Sequence, residues 1–416
     1  MRFLHAADCH IDSPLRGLEK YEGAPVERVR CATRVAFQNL IKFALELKVD
    51  FLILAGDLFD GPWPDMQTGI WTNRQFRLLQ DADIDVFLLR GNHDAASLVQ
   101  QHINWSPNVQ VFPTNEAKSL YPREDLGVVL HGQGFADREV RTDLVTQYPQ
   151  PIDGLFNIGV LHTSLAGTAN HDTYAPTRPD ILARQGYDYW ALGHVHAAEI
   201  VSREPYIVFP GNTQGRHVRE SGEKGAYLIC VENGKIEEPQ FLATDTLRWF
   251  ELDVEAEPAA NTMDLLNQIS RELSECVEHS DGRFCAIRLI VRGSTDAHQD
   301  LISPDHRERF IAQIRDTANA LGNEVWIEKI RLQTSPPADL EQLEKEPGLV
   351  GELLRIVSEA EHDEDLLRTL GEGLRSLTNQ ADRELAEINV NVENPQQLRM
   401  WLVEARRLLV SRLLEA

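Results

Sequence analysis

The chain reads as an α/β protein: a four-layer α/β/β/α sandwich over residues 1–243, a smaller α/β domain over 244–333 and a helical region over 334–416. Three observations predict this. Strand and helix signals alternate from the N-terminus. Past Gly193 the signals become mainly strands. A second, shorter alternation starts near Thr244 and ends at a Pro-containing stretch, after which the chain is polar with helical periodicity.

The elements follow in order. A strand over 3–6 comes first. Val29, Ala32, Ala36, Leu40, Phe43 and Leu47 then recur at helical spacing before a strand over 51–55, which makes a strand–helix–strand unit. A helix over 68–80 leads into a strand over 86–89, and strands over 158–161 and 189–192 continue the pattern. Strands over 199–202, 206–209, 226–231 and 238–242 follow, with Asn233-Gly234 as a hairpin turn between the last two. The second domain is read as strands over 249–254, 285–291 and 325–332 with helices over 263–276 and 305–321. Thr334-Ser335-Pro336-Pro337 is a linker signal. Beyond it, Asn394-Pro395 should start a helix, with Asn as N-cap and Pro in the first turn. Leu398, Leu402, Ala405 and Leu409 give that helix an apolar stripe, widened by Trp401 and Leu408 and bordered by Arg399, Arg406 and Arg407. The stripe fits either packing on its own chain or docking on a partner protein.

Composition narrows the function. A formal net charge of −24 argues against binding nucleic acid by overall field, while leaving room for a local basic groove or a basic partner subunit. From Thr334 to the C-terminus there are 17 acidic and 9 basic residues, so that region adds to the acidity. Five scattered cysteines without C-x-x-C spacing suit a reduced, cytoplasmic protein. No apolar run approaches the ~18 residues of a membrane span, and a polar cluster as early as Asp8 leaves no room for a cleaved signal peptide.

The chemistry is carried by five polar clusters, each just after or at the end of a predicted strand: Asp8-Cys9-His10, Gly56-Asp57-Leu58-Phe59-Asp60, Gly91-Asn92-His93-Asp94, His162 and Gly193-His194-Val195-His196. Their oxygen and nitrogen donors suit Mn²⁺, Fe or Zn²⁺. In an α/β sheet such groups collect beyond the carboxyl ends of the strands. In an extended chain residues two apart point the same way, so Asp8 and His10 would share one cation with Cys9 turned away, and His194 and His196 would share a side. Asp57 is placed to bridge two cations ~3.5–4 Å apart, and such a pair suits in-line attack on a phosphate ester. His93, next to Asn92, would face away from the cations and serve the leaving oxygen, with Asp60 holding its ring and raising its pKa. Arg216, His217 and Arg219, after Gly211-Asn212, are candidates for contact with a nucleic-acid phosphate. His171, Asp172 and Tyr174 are candidates for the substrate entrance, and His131 reads as structural.

The ordered set D-x-H, G-D-x-x-D, G-N-H-D, H and G-H-x-H resembles the calcineurin-like metallophosphoesterase superfamily over residues 1–243. Within it, LHAADCHIDSPLRGL, YWALGHVH and FPGNTQGRHVRESGEKG are similar to the DNA repair exonuclease branch of SbcD-like and, in particular, YhaO-like proteins. The small domain is similar in pattern to that branch's capping domain. The resemblance implies two Mn²⁺ ions, one held by Asp8, His10, Asp57 and His196, the other by Asp57, Asn92, His162 and His194, with His93 as catalytic histidine. It implies DNA as substrate and an SMC-like ABC ATPase (YhaN- or SbcC-like) as partner, with no membrane association and room for a homodimer. The sequence departs from the phosphoprotein phosphatases, since Gly61-Pro62 follows Asp60 and Asp94 follows His93. The expected function is therefore a manganese-dependent DNA nuclease acting in repair. The alternatives are a phosphodiesterase or phosphatase on small nucleotides, or a non-catalytic scaffold for the ATPase.

Overall fold

The computed structural model describes residues 1–13, 24–60, 66–95, 103–165, 174–257, 259–322, 324–337, 340–345, 347–378 and 394–414. The N-terminal strands are β1 (Arg2–Ala6), β2 (Phe51–Ala55), β3 (Asp85–Leu89), β4 (Val109–Val111), β5 (Lys118–Leu120), β6 (Val128–Gly132), β7 (Phe156–His162), β8 (Tyr189–Gly193), β9 (Glu199–Arg203), β10 (Tyr206–Phe209), β11 (Gly225–Glu232), β12 (Lys235–Ile236) and β13 (Gln240–Ala243). Among the described residues they form two sheets. One has the order β12-β11-β1-β2-β3-β4, with β13 also on β11; the other runs β5-β6-β7-β8-β10-β9.

Both faces of these sheets are covered, so the central strands are nearly all apolar rather than alternating. Phe3, Phe51, Ile53 and Phe87 face inward against Leu130, Ile158, Tyr189 and Val208 of the second sheet. Phe3 stacks on Phe51 at 5.0 Å and meets Tyr189 edge-on at 5.4 Å, which joins the two sheets through aromatic contact. The next residue on each strand turns outward. Leu4, Leu52, Val86 and Leu88 pack against Phe37, Leu40 and Ile41 of the helix Val26–Glu46. On the far side, Trp190, Leu161 and Ile207 meet Leu182 of the helix Pro179–Arg184. The result is the α/β/β/α order that the alternation predicts. His5, fully buried, crosses between the sheets. Its Nε2–H donates to the Leu192 carbonyl at 3.0 Å, so its Nδ1 accepts from the Tyr189 hydroxyl at 2.9 Å. Burial pushes its pKa down to about 3, against the opposing pull of the Leu192 bond, and the ring stays neutral.

The strands β14 (Leu247–Glu255), β15 (Phe284–Ser294) and β16 (Val325–Ser335) form a third, parallel sheet. The helices Thr262–Glu278 and Pro304–Ala320 cover one face, burying Leu265, Ile269, Phe310 and Ile314. Asn261 caps the first of them, its side chain accepting from the backbone N–H groups of Met263 and Asp264. On the other face, Leu247, Trp249, Phe284 and Trp326 pack on Val29 and Ala32 of the helix Val26–Glu46. Contrary to the linker expectation, Thr334 and Ser335 are the end of β16, paired with Gly293 and Ser294. β15 runs long enough to offer them partners, and pairing stops at Pro336, which has no N–H to give.

In the C-terminal region Asn394 caps the helix Pro395–Leu414, accepting from Gln396 N at 2.9 Å. Leu398 is buried, and the helix lies against the helices Leu349–His362 and Glu364–Thr378. Arg399 donates to the Glu361 carbonyl and Arg406 pairs with Glu344. Part of the stripe is thus covered by its own chain, while Met400, Trp401 and Val403 stay exposed. The side chains of Arg407, Leu408 and Leu409 lie outside those described. Among the described residues no helix is long and apolar enough to cross a membrane.

Candidate metal centre

All seven predicted donors meet at the carboxyl ends of β1, β2, β3, β7 and β8. Asp8, His10 and His196 have donor atoms within 4.8 Å of one another, and so do Asp8, Asp57 and His162. His10 Nε2 lies 3.3 Å from His196 Nε2, with Asp8 Oδ1 at 4.0 and 3.8 Å from the two. His162 Nε2 lies 2.9 Å from Asn92 Oδ1 and 3.4 Å from Asp57 Oδ2. His194 Nδ1 lies 3.3 Å from Asn92 Oδ1.

This donor set fits bound cations. Asp8 Oδ1 is buried without a hydrogen-bond partner among the described residues, yet faces two imidazole nitrogens. The second nitrogen of two of the rings is engaged elsewhere: His162 Nδ1 donates to the Ala55 carbonyl at 3.0 Å, and His196 Nδ1 donates to the Glu220 carboxylate at 2.7 Å. Their Nε2 atoms are therefore the ones turned to the centre, the usual arrangement of a ligating histidine. The field agrees. Burial would lower the pKa of His162, but the Asp57 and Asp8 carboxylates outweigh it and push the ring up to about 9. Asp57 is held well below the usual carboxylate range, the nearby histidines overcoming its burial. Around Asp57 and His162 the pocket therefore favours positive charge, which a divalent cation would supply in place of a proton, whereas burial raises the Asp8 carboxyl above its usual value and, with Arg216 and the neighbouring histidines, holds His10 well below its own.

The backbone achieves this differently from the extended-chain expectation. Asp8, His10, Asp57 and His194 all have positive φ, at 49°, 44°, 51° and 101°. The D-x-H donors converge through left-handed kinks rather than strand alternation, and Cys9 between them still turns into the core. Cross-loop bonds hold the kinks: Asp8 N to Gly56 O, His10 N to Asp57 O and Ile11 N to Leu58 O, each 3.0 Å. Three glycines leave room for the donors; a Cβ at Gly56 would fall 2.2 Å from His162 Nδ1. A Cβ at Gly91 would fall 2.2 Å from Asp57 Oδ1, and one at Gly193 would fall 2.0 Å from the Ala55 carbonyl oxygen.

His93 sits at the rim with its side chain 30% exposed and its Nδ1 2.7 Å from Asp60 Oδ1. Burial lowers its pKa, but the bond to Asp60 and the charge of Asp57 raise it further, for a net upward shift. Asp60 also accepts from the Ser13 hydroxyl at 2.5 Å.

The other candidates divide. Arg216 is turned inward, its side chain only 13% exposed, beside Glu220, Asp60 and His196. His217 and Arg219 are exposed. Tyr174 lies 5.2 Å from the His194 ring, while His171 and Asp172 fall outside the described residues. His131 is buried within the second sheet, between Ser119 and Asn157, and is structural.

Two residues at the centre escape a reading of the sequence. Glu220 belongs to none of the five clusters. Asp94 stands out only as the residue after His93, yet its carboxylate accepts from Leu58 N, Phe59 N and Gly91 N at 3.0–3.1 Å and ties two donor loops together. Burial and the neighbouring Asp57 push its pKa up to about 7, against those bonds.

Comparison with known proteins gives concordant matches. The pattern for calcineurin-like phosphoesterases matches residues 1–198, and that for the middle domain of metallophosphoesterase YhaO matches residues 249–335. The chain is 31% identical to the uncharacterized metallophosphoesterase YhaO of Bacillus subtilis (strain 168), over 83% of this chain and 84% of that one. It is 27% identical to SbcD, a component of the nuclease SbcCD of Escherichia coli (strain K12), over 57% and 66% of the two chains. It is 22% identical to the DNA double-strand break repair protein Mre11 of Methanopyrus kandleri, over 60% and 58%.

Proposed function

The chain belongs to the calcineurin-like metallophosphoesterase family, a family of metal-dependent phosphoester hydrolases, and on that premise we propose that it is a manganese-dependent nuclease that cleaves DNA phosphodiesters in repair. The observation that carries the reading is the convergence of the two donor groups, Asp8–His10–His196 and Asp8–Asp57–His162, beside the rim histidine His93. In this reading Asp8, His10, Asp57 and His196 would hold one cation. Asp57, Asn92, His162 and His194 would hold the other. Cations bound there would supply Lewis-acid polarisation of the phosphoryl group and an acidified water. The chain's own contribution to the leaving oxygen is His93. Asp60 occupies its Nδ1, so the proton it can give is on Nε2. Exposed His217 and Arg219 are the side chains left to face a nucleic-acid strand.

DNA is favoured over small nucleotides by the names of two relatives, a nuclease component and a double-strand break repair protein, of whose lengths this chain spans 66% and 58%. Incubation with Mn²⁺ and, separately, bis-p-nitrophenyl phosphate, linear single- and double-stranded DNA and p-nitrophenyl phosphate tests this. Both the diester and DNA should be hydrolysed. Turnover of the monoester alone would turn the reading to a phosphatase, and no turnover at all to a scaffold.

A partner is part of the proposal. The helices of the C-terminal region expose Leu349, Ile356, Met400 and Trp401, apolar surface that a coiled coil of an SMC-like ATPase would cover. Deleting residues 338–416, which spares β16, should abolish co-purification with the ATPase and leave diester hydrolysis intact. Full-strength pull-down by the truncated chain would move the docking surface elsewhere.

A further inference from the structure

A line of contacts outside the donor set links the two sides of the centre. His93 Nδ1 meets Asp60 Oδ1 at 2.7 Å, and Asp60 Oδ2 lies 3.5 Å from Arg216 Nη1. Arg216 Nη2 donates to Glu220 Oε1 at 2.9 Å, and the same oxygen accepts from His196 Nδ1 at 2.7 Å. We propose that Arg216 is a positioning residue rather than a phosphate anchor: it clamps Asp60 and Glu220, and through them fixes the rings of His93 and His196. The inference rests on the two-cation reading above.

Three features carry it. Glu220 is determined from several directions, its Oε2 also accepting from Asn212 Nδ2 at 2.9 Å and from the backbone N of Arg216 at 2.8 Å. A carboxylate held that firmly fixes the orientation of the imidazole it accepts from. Arg216 approaches His196 Nδ1 to 3.3 Å, but both atoms are donors once Nδ1–H is given to Glu220, so the carboxylate sets the ring and the guanidinium sets the carboxylate. Finally, the guanidinium is largely buried between two carboxylates, so the trio carries net negative charge. That is a poor grip for a phosphate and a good frame for histidines. The guanidinium reaches Asp60 through Nη1 and Glu220 through Nη2, a rigid spread of donors that the compact ammonium of lysine does not reproduce.

The test uses the full-length protein. Mn²⁺ stoichiometry and affinity are measured by titration calorimetry, and kcat and KM on bis-p-nitrophenyl phosphate. Arg216→Lys and Arg216→Met should each weaken Mn²⁺ binding and lower kcat by ~10–100-fold, the usual scale for groups that orient a ligand, with KM nearly unchanged. Glu220→Gln, which keeps an acceptor for His196, should recover much of what Glu220→Ala loses. An Arg216→Lys protein with normal Mn²⁺ affinity and kcat, or an Arg216→Met protein changed only in KM, would overturn the proposal in favour of a phosphate anchor. Failure of the wild-type protein to bind two Mn²⁺ would instead overturn the metal-centre reading itself.

Discussion

The Asp57→Ala protein is expected to purify folded, without bound metal and without phosphodiesterase activity. Asp57 is buried at the middle of the donor set, with Oδ2 toward His162 and Oδ1 accepting from His93 N at 2.9 Å. In the proposed assignment it alone touches both cations, so its loss empties both positions. The loop around it should survive, because Asp94 holds Leu58 N and Phe59 N independently. Its φ of 51° is costly for alanine, by ~1–2 kcal/mol, so Asp57→Asn serves as a companion that tolerates the same backbone and removes only the charge. Metal content by mass spectrometry decides the matter: two full equivalents retained in either variant would refute the bridging role.

His93→Ala should behave in the opposite way, keeping its metal and losing ~10²–10⁴-fold in turnover, the scale of a general acid–base group. The side chain is outside both donor groups that contain Asp8; its own close donors are His10 and Asp60, and Asp60 holds its ring from the rim. Removing it opens space at the surface rather than in the core, so folding should be little affected. Near-normal turnover in a metal-replete His93→Ala protein would show that some other group serves the leaving oxygen.

The strands and the donors are legible in the sequence for the same reason. A buried parallel strand must be a continuous apolar run, and a polar Asp or His at the end of that run is conspicuous. Phe51 to Ala55 followed by Gly56-Asp57 shows both at once. The backbone between the donors is not legible, because left-handed residues at Asp8 and His10 depend on bonds to Gly56 and Asp57 from a distant loop. Glu220 is hidden on similar grounds. Its spacing from Arg216 suggests an ion pair, but only the folded chain brings that pair against His196, 24 residues away. Thr334 and Ser335 carry turn-forming composition, and the length of β15 overrides it.

The kinked backbone beneath the donors has a consequence for design. The side-chain list Asp, His, Asp, Asn, His, His, His is the easily copied part of this centre. A host scaffold would also have to offer four non-glycine positions at positive φ and, at the sites of Gly56, Gly91 and Gly193, three positions with no space for a Cβ. Regular strands and helices offer neither. Transplanting the seven side chains onto an idealised barrel or bundle would therefore reproduce the inventory and lose the convergence. The portable unit is the set of loop backbones together with Asp94, which fastens two of them, and not the seven side chains alone.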